Sequence, residues 1–362
     1  MFDVAIVGAG PAGASLARLL AQAGARVVLL ERHRLPRYKP CGGGLTARAL
    51  RLLPAEAHDL VRLRSPGVQV VFGGYHLSLR SPVPLVGLVM RDAFDHRLTQ
   101  LAAAAGAEVR DQAPVTGARL LPDGVEVTVR GEAVRARYLA CADGSTGPFA
   151  GPLGAAVGLR GRPLRIGALE VEIADPGAGW GEEMRGDFDL VRRGYAWVFP
   201  KDGILSVGVA SWADLGGRAL REALAAYIRR LGLQGRTVLR THGHPLPVGG
   251  RLPLAHLGTD RVLRLGDAAG LADPMFGEGI APAMESAHLA VRPLLDGDLP
   301  AYARAVGRRL YRRFAVAAIC ARVFYPAPVP WFALVAAWPR FGDAVYTLAA
   351  GGRRRVSDGT AL

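Results

Sequence analysis

Asparagine is absent from this chain of 362 residues, and lysine occurs only at Lys39 and Lys201. Both amino acids have AT-rich codons, while Ala, Gly, Pro and Arg are abundant, so the composition reflects a GC-rich genome. Part of the net charge of +14 is then arginine bias rather than a nucleic-acid footprint. Basic residues interleaved with aromatics in an RNA-binding manner are also missing, and no nucleic-acid partner is expected. The charge permits contact with an anionic membrane without requiring it. Cysteine is scarce too. Cys41, Cys141 and Cys320 are an odd set too small for a disulfide framework, which points to a reducing, cytoplasmic compartment. No apolar run reaches the roughly 18 residues of a membrane span, so no transmembrane helix is expected. The opening MFDVAIVGAG reads as a strand and lacks the charged start of a signal peptide. Hydrophobic residues make up 50% of the chain, enough for a folded core of one large or two intergrown domains.

The first motif lies at that opening strand. Gly8-Ala-Gly10-Pro-Ala-Gly13 follows it and runs into the helical pattern ASLARLLAQAG, after which a second strand ends at Glu31-Arg32. Gly8 allows a tight turn, Gly10 lets backbone approach a pyrophosphate, and Gly13 lets helix and strand pack closely. The helix N-terminus favours phosphate, and an acid at position 31 suits a ribose with free hydroxyls. Arg32 is a neighbouring candidate for cofactor contact.

Two further strand-to-loop motifs follow. LACADGSTGP delivers Asp143 and Gly144, and VLRLGDAAGLADPMFGEGIAPAM delivers Gly266, Asp267, Gly277, Gly279 and the helix starting at Ile280. An Asp after a strand can hold the ribityl hydroxyls of a flavin, and glycines at a helix start bring amides to its pyrophosphate and pyrimidine end. Singly, each could be an ordinary turn. In this order, with Arg91 opening the helix RDAFDHRLTQLA, they resemble the p-hydroxybenzoate hydroxylase-like class of flavoproteins. That resemblance covers residues 1 to about 290. It implies FAD as cofactor and places Arg91 near it. It leaves the reaction open, since the fold serves several chemistries.

The stretch RYKPCGGGL, Arg37 to Leu45, narrows the choice. Glycines without side chains, Gly42, Gly43 and Gly44, can approach a flavin face. In GYAWVFPKDGILSVGVAS, Tyr195, Trp197, Phe199 and Lys201 alternate and so share one face of a strand. The KPCGGG and YxWxFPK patterns resemble the geranylgeranyl reductase family. Both lysines fall within these two motifs, where Arg does not replace them. The resemblance implies reduction of carbon–carbon double bonds in a prenyl chain of a lipid, quinone or related isoprenoid. Lys39, Lys201 and the aromatic row become substrate-binding candidates. Cys41 becomes the candidate proton donor, since an ordinary thiol, with a pKa of about 8.5, is protonated at neutral pH. The electron donor stays open between NADPH and a reduced carrier such as ferredoxin. Two other readings share the fold: an aromatic monooxygenase or halogenase, and an electron carrier to quinone.

The expected fold class is α/β. A doubly wound, parallel-sheet, Rossmann-like FAD domain is expected from segments 1–75, 85–155 and 255–295. A mainly antiparallel substrate domain spans 156–254, with the strands near Val68 to Leu79 as candidates to join it. Residues 296–362 form a helical tail, interrupted at PAPVP and disordered beyond Arg355. Its arginines and aromatics make it a candidate for peripheral contact with the inner face of the membrane, or else a cap over the core. His242-Gly-His244 reads as a turn, and without further ligands at suitable spacing no metal is expected. Cys141 and Cys320 read as core packing. Oligomeric state is open.

Overall fold

The computed structural model describes residues 1–81, 86–175, 180–201, 203–349 and 351. Its first sheet is built on five parallel strands in the order Glu108–Arg110, Val27–Leu30, Phe2–Val7, Glu132–Cys141, Val262–Arg264. The run VVLL is buried at all four positions, as a strand covered on both faces requires. Val4, Ile6, Val27 and Leu29 face the helices Pro11–Gln22, Arg91–Ala104 and Ile280–Asp296. Ala5, Val7, Val28 and Leu30 face Phe149, Leu159 and the inner residues of an antiparallel hairpin. That hairpin, Val115–Leu121 with Gly124–Val129, joins the first half of Glu132–Cys141, while Leu139 to Cys141 pair with Val262–Arg264. One long strand thus carries two different partners along a single edge.

A second sheet of seven strands has the order Val238–Pro247, Arg165–Ala174, Ile204–Ser211, Gly194–Lys201, Met184–Asp187, Gly67–Phe72, Tyr75–Arg80. Only Met184–Asp187 and Gly67–Phe72 pair in parallel. Its outer face is covered by the helix Gly217–Arg230, whose Leu220, Leu224 and Tyr227 pack on Val171, Ile173, Val198 and Leu205. A short sheet, Gly44–Thr46, Val86–Leu88 and Leu63–Ser65, lies at the end of the glycine-rich loop.

The C-terminal helical region starts at Leu299. Tyr302 donates to the Arg264 carbonyl at 2.8 Å, Tyr311 to that of Leu252 at 2.6 Å, and Phe314 is buried. The helical path runs to Phe324, breaks at the proline-rich corner, and resumes as Val329–Ala337 at an angle of 99°. Pro339–Ala349 follows. Among the described residues no single helix is long and apolar enough to cross a membrane. The expectation of disorder beyond Arg355 lies outside the described residues.

Two expectations are corrected. Cys320 is exposed rather than core. Its helix, Arg312–Phe324, buries only Phe314 and Ala321, and Cys320 is turned away from that side. His242-Gly-His244 is not a turn. It lies inside the strand Val238–Pro247, with His242 opposite Glu170 and His244 opposite Ala168. Cys141, by contrast, is fully buried as expected.

Candidate active site

At the dinucleotide end the backbone does most of the shaping. Gly8 has φ +102°, and a Cβ there would strike the carbonyl oxygen of Ala142 on the neighbouring strand. A Cβ at Gly13 would strike the carbonyl oxygen of Gly8. Gly10 caps the helix Pro11–Gln22 with no side-chain hydrogen bond, and it opens on space whose nearest atom is Arg37 Nη2 at 3.9 Å. Gly266 sits between Ala12 and Ala283, so the first turns of that helix and of Ile280–Asp296 meet over it. Gly279 is the uncapped start of the second helix, Ile280 is buried behind it, and Gly277 has φ +71°.

Carboxylates ring these helix starts. Glu31 is buried and accepts from the backbone N–H of Ala9 and of His33, each at 3.0 Å. Arg32 lies exposed beside it and turns to His33. Asp143 accepts from Phe149 N–H at 2.8 Å with Oδ2, while its Oδ1 is buried without a partner. Burial pushes this carboxyl up to about 6 against the pull of that N–H. Gly144 follows with φ +78° and open space before it. Asp267 lies 3.3 Å from where a Gly279 side chain would start, and burial raises its pKa against the nearby charges of Lys39 and Arg91. Uncapped helix starts, bare glycines and acids with free oxygens fit the pyrophosphate, ribose and ribityl groups of FAD.

From Glu31 a chain of buried charges leads to the cysteine. Arg37 Nε is 3.3 Å from Glu31 and its Nη1 is 3.0 Å from Asp95. Asp95 is gripped by Arg91 through two bonds of 2.9 Å. Burial works against the charge of Arg91, but the Asp95 carboxylate outweighs it and raises its pKa above its usual value, and the Cys41 side chain lies within hydrogen-bond reach of the guanidinium.

The glycine-rich loop then lies against the second sheet. A Cβ at Gly42 would run into the ring of Phe199, and one at Gly43, φ +75°, into the Val89 carbonyl. Gly44 is in ordinary contact range of both Phe199 and Val86. Gly43 N–H donates to Cys41 Sγ at 3.3 Å, and Lys201 Nζ donates to the Cys41 carbonyl at 3.0 Å. Lys201 is also 3.8 Å from Glu172. On the other side, Lys39 Nζ is 2.7 Å from His244 Nε2, which also meets Ser145 Oγ at 3.1 Å. Burial lowers Lys39 to about 8. Burial and the charges of Lys39 and Arg91 push His244 down to about 3, so its imidazole is neutral and accepts from the ammonium. Tyr38 lies tilted against His242 at 4.6 Å between ring centres.

Strand register explains this convergence. His244, Ala168, Ala210 and Tyr195 form one row across four strands. His242, Glu170, Gly208 and Trp197 form the next, and Arg240, Glu172, Ser206 and Phe199 a third. Two carboxylates, Glu170 and Glu172, stand among small residues in the middle, His244, His242 and Arg240 edge one side, and aromatics edge the other. Trp197 leans over Gly208, where a Cβ would strike its ring, and donates to Ser206 at 3.3 Å. The aromatic edge continues from Phe199 through Trp197 and Tyr195, at centroid steps of 6.5 and 5.8 Å. It goes on to Phe188 and Trp212, and from Trp212 to Tyr325 at 4.9 Å in the C-terminal corner. Tyr195 donates to the Phe276 carbonyl at 2.6 Å, and burial raises its pKa, so its hydroxyl keeps its proton.

Several residues of this site escape a reading of the sequence. His244, Glu170 and Glu172 are legible only through pairing with distant strands, although alternation at 242 and 244 is itself a strand signal. Arg37 and Asp95 need the loop and helix to meet. Glu278, between Gly277 and Gly279, accepts from Thr46 Oγ1 at 2.5 Å, and burial pushes it up to about 7 against that bond.

Comparison with known proteins agrees with this geometry. The FAD binding domain family matches residues 1–188, and the lycopene cyclase protein family matches residues 207–325. A menaquinone reductase of Mycobacterium tuberculosis is 30% identical over 82% of this chain and 77% of its own. A digeranylgeranylglycerophospholipid reductase of Methanoculleus marisnigri is 32% identical over 80% and 76%. Among solved structures, a geranylgeranyl bacteriochlorophyll reductase-like protein from Thermoplasma acidophilum has a TM-score of 0.78 at 23% identity, covering 97% of this chain and 91% of that one. A triple mutant of a flavin-dependent brominase reaches 0.76 at 21%, covering 97% and 94%. At such identities the two structures share the fold alone.

Proposed function

Given that the chain belongs to the geranylgeranyl reductase family of FAD-dependent oxidoreductases, we propose that it saturates carbon–carbon double bonds of a prenyl chain. The observation that carries this reading is the aromatic edge ending at the glycine-rich loop, with Phe199 against Gly42. A row of rings suits a hydrocarbon chain and gives a small polar substrate little to bind. FAD, bound and reduced, would supply a hydride for one alkene carbon. The other carbon takes a proton, which an isolated alkene draws only from a donor held close. Cys41 Sγ is the donor in this reading, held by Gly43 N–H and by Lys201 on its carbonyl. Lys39, held by His244, and Lys201 position the substrate beside the loop. The electrons come from NADPH or a reduced carrier protein. Relatives named for menaquinone and for geranylgeranyl lipids mark the class of molecule to test.

The test is anaerobic incubation of the FAD-loaded protein with dithionite and a prenylated quinone or lipid, followed by mass spectrometry. A gain of two hydrogens for each double bond is expected. A product that forms only with oxygen, carrying hydroxyl or halogen, would sink the reading.

A further inference from the structure

We propose that the exposed apolar face of the C-terminal corner docks on an anionic lipid bilayer, and that the aromatic path inside it leads a prenyl chain from the bilayer to the Cys41 loop. This rests on the prenyl-reductase reading and adds the partner of that same site.

The helix Arg312–Phe324 is turned inside out relative to an ordinary surface helix. Its buried side is Phe314 and Ala321. Its solvent side is apolar: Val316 is 62% exposed, Ile319 59% and Val323 51%, at a spacing that keeps them on one stripe. The corner beyond it, Pro326 to Pro330, is mostly exposed too, and Trp331, Leu334 and Trp338 continue the exposed apolar surface along the next helix. A cap over the core would turn these side chains inward. Contiguous exposure of this kind marks an interaction surface.

Charge selects the occupant. No Asp or Glu occurs between Asp298 and Asp343. Arg308, Arg309, Arg312, Arg322 and Arg340 are exposed and carry no ion pair among the described residues, whereas Arg313 is held by Glu285. Apolar side chains flanked by unpaired arginines, with tryptophans at the margin, match the interface of an anionic membrane.

Continuity gives the surface its purpose. On the inner side of the same corner, Tyr325 stacks on Trp212, Phe324 meets Phe188 edge-on at 5.2 Å, and Phe332 stacks with Phe72 at 5.2 Å. Tyr195 touches both Phe188 and Trp212. An unbroken chain of ring contacts therefore links the lipid-facing corner to the aromatic row, whose Phe199 lies against Gly42.

The experiment is flotation of the full-length, FAD-loaded protein with phosphatidylcholine vesicles, with and without phosphatidylglycerol. It is paired with rates on a prenyl substrate held either in those vesicles or in detergent micelles. The wild type should float with the anionic vesicles and release at high salt. The double variant Ile319→Asp/Val323→Asp changes two exposed positions and should keep its FAD. Its bound fraction should fall at least about tenfold, since two apolar side chains leave the lipid and two charges oppose it. Its rate should fall in vesicles and hold in micelles. Failure of the wild type to float with either vesicle would overturn the proposal. So would undiminished flotation of the variant, or sedimentation showing that the face is buried in a dimer which the variant breaks. Flotation without saturated product in vesicles or micelles would leave the docking face standing and remove the prenyl-reductase reading instead.

Discussion

The two ends of the site are made differently. At the dinucleotide end the chain works through backbone, with glycines whose missing side chains let Gly8 pass under Ala142 and the helix Pro11–Gln22 pass over Gly8. At the cysteine end it works through side chains brought from far away: Lys201 is 160 residues from the Cys41 it holds, and His244 is 205 from Lys39. A backbone-built end has no tolerance, because any added atom meets main chain that cannot move aside. A side-chain-built end should fail by degrees, one contact at a time.

Substitutions can break or sharpen that contrast. The largest effect is expected from Gly13→Val, whose branched side chain would lie on the Gly8 carbonyl. Flavin absorbance of the purified protein should fall to background while circular dichroism persists. Full flavin content would show that the helix can shift, and the contrast would be lost.

Next comes Cys41→Ser. It should bind FAD and accept electrons from dithionite normally, yet reduce prenyl chains about 10²–10⁴-fold more slowly, the usual loss for a positioned general acid. A native rate would move the proton to Tyr195, whose hydroxyl stays protonated, or to water.

A smaller effect is expected from His244→Ala. Lys39 would lose its acceptor, and an unmet buried donor costs about 1–3 kcal/mol, or roughly 5- to 150-fold in rate. His244→Gln should recover part of it. The pH profile separates positioning from mere packing. Lys39 carries its charge below about 8 and loses it above, so a step needing the ammonium should decline as pH rises through that value. Without the imidazole the charged form loses support, and the decline should move to lower pH. An unmoved profile would reduce His244 to filler.

Phe199→Ala should raise KM about tenfold through lost apolar contact, with flavin content unchanged. Cys320→Ser should do least. The residue is exposed, and stability should stay within about 0.5 kcal/mol by thermal melting.

The same contrast explains what the sequence discloses. Gly8, Gly10, Gly13 and Glu31 stand in one short stretch, and their spacing carries the turn, the helix and the acid together. The aromatic row is legible because Tyr195, Trp197 and Phe199 alternate along one strand. His244, Glu170 and Glu172 belong to the site only after four strands have paired in register, and no local pattern states that register. Cys320 misleads for a related reason. An Ala-rich helix shows its period but not which face meets the protein, and here much of the apolar face meets solvent.

The strand Glu132–Cys141, with two partners along one edge, has a consequence for assembly. During synthesis it can take up its hairpin at once, since Gly124–Val129 has just emerged. The edge at Leu139 to Cys141 must wait for Val262–Arg264, across the whole second sheet. In that interval an apolar edge stands unpaired, a template for pairing with a wrong chain. The helix Pro11–Gln22, made first, also lacks its neighbour until Ile280–Asp296 appears. Folding should therefore be slow, because its decisive contacts are remote in sequence. Flavin then acts as a late clamp, holding together a nucleus whose halves are made far apart in time.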